Sequence, residues 1–240
     1  MKIKYFITLL ISGCLLFSIS GCLKKDPQAS IAQVLLVPLS PNSSPVDFSV
    51  NGVLFATTVG YSTTVGTVRY TLPYYTIEPK GTTTISYNLT GTTTSIASVT
   101  RNIEADKVYS TFLIDSVHEA KAVIVNDNLS DPTSGKVKIR FFHFSGNTSP
   151  VDVVVTGSTS KLFVNRSFND QVSSPVYENF IEMDPGTYTF SFINTTTGAT
   201  VYTTTSQVLI PDRIYTLAIR GFTGGTTTQS VGAWVYPNKP

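Results

Sequence analysis

The chain has 240 residues, enough for one large domain or two of about 100 residues. Hydrophobic residues make up 41 % and charged residues 13 %, about half the usual charged share of roughly 25 %; hydroxyls fill the difference, with 35 Thr and 26 Ser. A formal charge of +2, two His, and two Cys that both fall within the first 22 residues exclude a basic nucleic-acid binder, a disulfide-stapled domain and a zinc ribbon, while 14 Phe and 12 Tyr supply ample area for a core.

Residues 1–21 read as a signal peptide. A basic start (Met1-Lys2-Ile3-Lys4) precedes an apolar stretch from Tyr5 to Ile19 and the small-residue site Ser20-Gly21-Cys22. A span needs about 20 apolar residues, so this stretch is too short to cross a bilayer alone. Ile19-Ser20-Gly21-Cys22 resembles the bacterial lipobox, in which the Cys is acylated and becomes the first mature residue. Ile11-Ser12-Gly13-Cys14 repeats the tetrapeptide, but leaves only Tyr5 to Leu10 ahead of it, below the usual minimum of about seven residues. Cys22 is therefore the predicted lipid anchor. Removing residues 1–21 takes away Lys2 and Lys4 and leaves 15 basic against 15 acidic residues. Membrane affinity then rests on the N-terminal acyl chains, and nucleic acid is not an expected partner. Leu23 does not resemble an inner-membrane retention signal, which favours the outer membrane of the cell envelope. Residues 22–30 are polar and read as a tether.

From residue 31 the chain repeats itself. Ser40-Pro41-Asn42-Ser43-Ser44-Pro45-Val46-Asp47 recurs 105 residues later as Ser145-Gly146-Asn147-Thr148-Ser149-Pro150-Val151-Asp152. Each copy follows an apolar run and leads to a turn Gly (Gly52, Gly157) and then Leu-Phe (Leu54-Phe55, Leu162-Phe163). Lys107-Val108-Tyr109-Ser110 matches Arg213-Ile214-Tyr215-Thr216 before the last long strand of each. The predicted organisation is a first repeat over 31–127, a linker over 128–136 rich in turn residues, and a second repeat over 137–240. Val46, Phe48 and Val50 alternate with polar residues, as do Tyr188, Phe190 and Phe192, the period of half-buried antiparallel strands. No window of 11 or more residues in the mature chain carries a capped helical pattern. The expected fold is all-β: two tandem antiparallel β-sandwich domains, immunoglobulin-like or transthyretin-like.

This arrangement resembles the family called domain of unknown function 4397, whose repeated motif runs Val-Arg-x-x-His-x-Ser-Pro-x-x-Pro-x-Val-Asp-Val. The second copy keeps Ile139-Arg140, His143 and Pro150-Val151-Asp152-Val153, with Gly146 where Pro is expected. The first has Leu35-Leu36 near the Arg position and Pro38 in place of His, but keeps Ser40-Pro41 and Pro45-Val46-Asp47. The resemblance implies an envelope β-sandwich repeat, in proteins that are often lipoproteins, and carries over no catalytic residue.

Side chains that could carry chemistry are few. Asp47 and Asp152 persist in both copies and read as carboxylates that accept backbone N–H bonds and fix the preceding loop; a hard-cation site would need more acids nearby. His143 reads as a structural imidazole and His118 as a turn residue. Glu178, Glu182 and Asp184 are the nearest approach to a hydrolytic carboxylate pair, and read instead as a solvated strand face. No metal ligand set, cofactor site, nucleophile elbow or phosphate loop is present in the pattern. Tyr74, Tyr75 and Trp234 remain as candidate ligand-binding aromatics that could stack on a sugar or anchor a protein. The expected role is therefore non-catalytic binding or adhesion at the envelope, toward a glycan or protein. A passive spacer is the alternative and an envelope hydrolase the remote one.

Overall fold

The strand-favouring composition is realised as β-structure across the described residues of the computed structural model, 31–61, 74–78 and 81–239; the predicted signal peptide, Cys22 and the tether lie outside them. The N-terminal half supplies β1 (Ala32–Pro38), β2 (Val46–Val50), β3 (Val53–Val59), β4 (Tyr74–Ile77), β5 (Gly81–Leu89), β6 (Ser95–Ile103), β7 (Val108–Ile114) and β8 (Lys121–Asn126). The C-terminal half supplies β9 (Val137–His143), β10 (Val151–Val155), β11 (Lys161–Arg166), β12 (Ile181–Met183), β13 (Gly186–Tyr188), β14 (Phe190–Asn194), β15 (Thr200–Thr203), β16 (Gln207–Leu209), β17 (Ile214–Arg220) and β18 (Gly232–Lys239). Among the described residues helix is confined to single 3-10 turns at Asp170–Val172, Pro175–Glu178 and Thr227–Gln229.

The chain is all-β, with its sheets in open, sandwich-like layers. In the N-terminal half a sheet ordered β4-β1-β7-β8 faces one ordered β3-β2-β5-β6; in the C-terminal half β12-β9-β17-β18 faces β11-β10-β14-β15, with β13 and β16 as a separate pair. One pairing in each half departs from the antiparallel expectation: β1 runs parallel to β7, and β9 parallel to β17. Each parallel pair joins the first strand of its half to a late one, so the intervening sheet acts as the crossover that parallel pairing requires. Tight turns are chemically specified. Asn51-Gly52, with φ of 50° and 79°, links β2 to β3 as a two-residue hairpin, and Asn51 Oδ1 accepts the Thr84 N–H at 2.8 Å.

Each half has its own core between its two sheets. Val34, Leu36, Phe48, Tyr87, Tyr109 and Leu113 are among the first, and Ile139, Phe141, Phe190, Phe192, Leu217 and Val235 among the second. A third cluster draws on both halves: Leu35, Val37, Leu39, Phe112 and Val125 meet Phe142, Phe144, Ala218, Trp234 and Tyr236. β1 and β9 are therefore buried on both faces, which is why their sequences (AQVLLVP, VKIRFFH) run nearly continuously apolar instead of alternating.

Candidate functional site

The third cluster is not wholly apolar. The strand registers, with Val34 opposite Tyr109 and Ile139 opposite Tyr215, put Leu35 and Arg140 at corresponding places in their sheets. Ser110 corresponds in the same way to Thr216, and Asp127, next after β8, to Asn238 of β18. Arg140 has a fully buried side chain and pairs through Nη2 with Asp127, whose side chain is equally buried. Its Nε donates to Thr216 Oγ1 at 2.8 Å, and that hydroxyl donates to Asn238 Oδ1 at 2.6 Å. Ser110 Oγ donates to the second Asp127 oxygen at 2.6 Å. The guanidinium is held between the rings of Phe142 (4.7 Å) and Phe180 (4.5 Å). Burial opposes the guanidinium charge, but Asp127 and Tyr236 outweigh it and raise the Arg140 pKa. A second link between the halves is made by Arg220, which donates to the Tyr61 hydroxyl and stacks over its ring at 4.8 Å.

Beside this ion pair the surface opens into a polar cleft of about 430 Å³. Arg101 of β6, with Asn126 and Asn128, forms one wall; Lys138 of β9 and the segment Pro175, Glu178, Asn179 and Phe180 form the other. Glu178 Oε2 accepts the Asn126 N–H at 3.2 Å, and Oε1 lies 3.9 Å from Arg101 Nη1. Burial pushes the Glu178 carboxyl up, against the Asn126 N–H and the nearby Arg101 and Arg140 charges. Arg101 Nη1 donates to Ile124 O at 2.9 Å, which fixes the guanidinium at the cleft wall. A second hollow lined by Asp106, Lys107 and Leu129 adjoins it across Asn126 and Asn128.

The predicted site residues fall elsewhere. Trp234, 6 % exposed, stacks on Tyr236 at 4.3 Å within the shared cluster. Tyr74 is half-buried against the same cluster and donates to Asn238 O. Tyr75 packs on Phe48 at 5.9 Å over the N-terminal core. The structure does not bring the three rings together as one surface: Tyr74 and Trp234 belong to the cluster shared by the halves, whereas Tyr75, the next residue of β4, packs on the N-terminal core.

The two persistent acids accept backbone N–H bonds as expected, but from a neighbouring strand and turn rather than from the loop that precedes them. Asp47 accepts N–H bonds from Thr58 (2.9 Å) and Gly91 (2.8 Å), which hold its carboxyl below the usual range. Asp152 accepts from Asn165 at 2.8 Å and pairs with Lys161 at 2.6 Å. Thr58 and Asn165 have φ of 55° and 46°, so each carboxylate satisfies the N–H of a neighbouring-strand residue held in the left-handed region. Glu182 accepts the Thr133 N–H at 2.8 Å and Asp184 pairs with Lys136, so both tie β12 and its turn to the linker. His143 is buried beside Phe168 with Nε2 3.3 Å from Ser149 O, whereas His118 is exposed in a turn. Among the described residues no three His, Cys, Asp or Glu side chains are grouped to hold a metal, and no helix is long and apolar enough to cross a membrane.

A family model described as Domain of unknown function (DUF4397) matches residues 32–154, from β1 through β10. The chain belongs to this family. The DUF4397 motif thereby gains a structural account: its Arg is the buried Arg140 and its Asp clamps the neighbouring strand. Gly146, where the motif has Pro, is the point at which a Cβ would meet Asp115 Oδ1 of the N-terminal half at 2.6 Å. No curated protein matches the chain. Among solved structures it is similar to a candidate cell adhesion protein from Bacteroides eggerthii, at 9 % identity over 88 % of this chain and 95 % of that one, with a TM-score of 0.22. It is also similar to a leucine-rich repeat protein from Bacteroides thetaiotaomicron, at 12 % identity over 78 % of this chain and 25 % of that one, with a TM-score of 0.17.

Proposed function

We propose that this DUF4397 protein is a lipid-anchored binding protein of the bacterial cell envelope, held by acyl chains on Cys22 at the outer membrane. In this reading it is built of two copies of one β-unit and acts without catalysis on a glycan or an envelope protein. The observation that carries the proposal is the polar cleft at the junction, walled by residues of both halves and backed by a buried ion pair that fixes one half against the other. A ligand site placed where two elements meet on a rigid frame is the common arrangement for recognition. The acids nearest to a hydrolytic pair serve the fold as well: Glu178 accepts the Asn126 N–H at the end of β8, and Glu182 accepts the Thr133 N–H of the linker. The spacer reading shares the anchor and the rigid frame and differs in having no ligand.

Two experiments test the proposal. Cys22→Ala is expected to leave unprocessed, unacylated precursor in the producing bacterium; continued acylation of that variant would assign the anchor to Cys14. Cells displaying the protein are expected to adhere to glycan-coated or envelope-coated beads more than cells lacking it, and equal adherence to every coating would favour the spacer.

A further inference from the structure

The chemistry of the cleft is more specific than its polarity. Its two cationic groups come from different halves, Arg101 from β6 and Lys138 from β9, and the Glu178 carboxylate lies 3.9 Å from Arg101 Nη1. Arg101 is pre-set by its Nη1 bond to Ile124 O and by lying over the Tyr109 ring at 5.9 Å, and its side chain is 37 % exposed, which leaves guanidinium N–H groups available to a ligand. Lys138 Nζ donates to Ser130 O (2.8 Å) and Ser130 Oγ (2.9 Å), which orients the ammonium and leaves its third proton. Asn126, Asn128 and Asn179 bring side-chain amides to the lining, the Asn128 oxygen already accepting the Ser130 N–H at 3.2 Å. Pro175 and Phe180 supply the apolar portion, and Phe180 is held in place by stacking on Arg140.

We infer that this cleft binds an acidic sugar unit, a pyranose carrying a carboxylate, within a glycan chain. This rests on the binding role proposed above and specifies its site and ligand class. Arg101 and Lys138 meet the sugar carboxylate, for which a guanidinium fork is the matching partner. Glu178 and the three amides pair with ring hydroxyls, each of which both donates and accepts. Pro175 and Phe180 lie against the C–H face. The alternatives fit less well. A phosphate group, with its larger negative charge, is repelled by Glu178 more strongly than a carboxylate is, a neutral sugar leaves two cations unused, and an extended peptide is recognised chiefly at an open strand edge or an apolar groove. The cleft is open on one side, which admits an internal unit of a chain as well as an end. Its volume falls in the range of small-molecule sites.

The test uses the soluble chain from residue 23 onward, which carries the whole compact unit Ile31–Pro240. Its melting temperature and calorimetric affinity are measured with oligogalacturonate and hyaluronan oligosaccharides as acidic probes and cello-oligosaccharides as neutral ones. Binding of an acidic probe that weakens in 0.5 M NaCl, and falls about tenfold in Arg101→Gln and in Lys138→Gln, supports the inference. Both side chains are half-buried and bonded to main chain, so the melting temperature and circular dichroism of each variant are recorded first to verify its fold. Equal affinity for acidic and neutral probes overturns the acidic assignment, as does acidic binding that survives both substitutions. If no probe binds while displayed cells still adhere to envelope-coated beads, this inference fails and the broader binding role stands. If neither is observed, both fail.

Discussion

Arg140 and Asp127 form an ion pair with no solvent exposure on either side chain, and their removal can be worked out term by term. Arg140→Met keeps the length of the stem but leaves the Asp127 carboxylate buried with only Ser110 and Asn238 as donors. Asp127→Asn keeps those two contacts but leaves a guanidinium sealed between Phe142 and Phe180 with no anion. Breaking a buried pair from one side costs about 3–5 kcal/mol, whereas removing both charges in favour of apolar or neutral groups is often close to neutral. Each single variant is thus expected to melt roughly 6–20 °C lower, at about 2–4 °C per kcal/mol for a chain of this size. The double variant should be more stable than either single one. Trp234 is the only tryptophan and lies in the cluster shared by both halves, so its fluorescence during urea unfolding reports this region directly. Singles that cost under 0.5 kcal/mol, or costs that simply add in the double variant, would refute the reasoning.

Burial pushes the His143 imidazole down to about 4, below its unfolded value near 6.5. Stability is therefore fully present above pH 6.5 and falls as pH drops toward 4, by up to about 3 kcal/mol; His143→Gln should flatten the pH dependence of the urea midpoint between those values, and an unchanged slope would exclude this histidine as the cause. Asp152→Ala should lose about 1–3 kcal/mol by orphaning the Asn165 N–H and Lys161, with a melting temperature indifferent to millimolar calcium in variant and parent alike; a calcium-induced rise in the parent that the variant lacks would make Asp152 a cation ligand. Trp234→Ala should cost about 3–5 kcal/mol as a core truncation while any glycan response of the folded fraction persists, and selective loss of that response at unchanged stability would return Trp234 to the list of ligand contacts.

The all-β fold was legible because Thr, Val, Tyr and Phe alternate with period two in the outer strands, and the Asn51-Gly52 hairpin was marked by its residues. The parallel pairing of β1 with β7 was not legible: strands buried on both faces carry no alternation from which a partner or direction can be read. The junction was harder still. Asp127 reads as one more turn former in a segment of Asn, Asp, Ser and Gly, and nothing local reveals that its partner is Arg140 across the linker. A signal did exist in Arg140-Phe141-Phe142-His143-Phe144, where a cation embedded in an apolar run points to a strand covered on both sides with an anion opposite. Tyr74, Tyr75 and Trp234 were chosen as aromatics, but an aromatic ring says nothing of which side of a sheet it occupies. The cleft residues Arg101, Lys138 and Glu178 lie far apart in sequence, and only the docking of the halves assembles them.

The position of β1 bears on how the molecule would withstand pulling. It is the first strand after the predicted tether and is central in its sheet, bonded to β4 on one side and to β7 on the other. Were the proposed anchor to pull on Ile31 along the strand axis, with the proposed ligand holding the junction, the load would fall on β1 first. The hydrogen bonds to β4 and β7 are then loaded together in shear, rather than opened one after another as at a hairpin end. Extracting β1 would also drag Leu35, Val37 and Leu39 out of the cluster shared with the C-terminal half. Pulled in this way, the chain should yield at high force and with little prior extension.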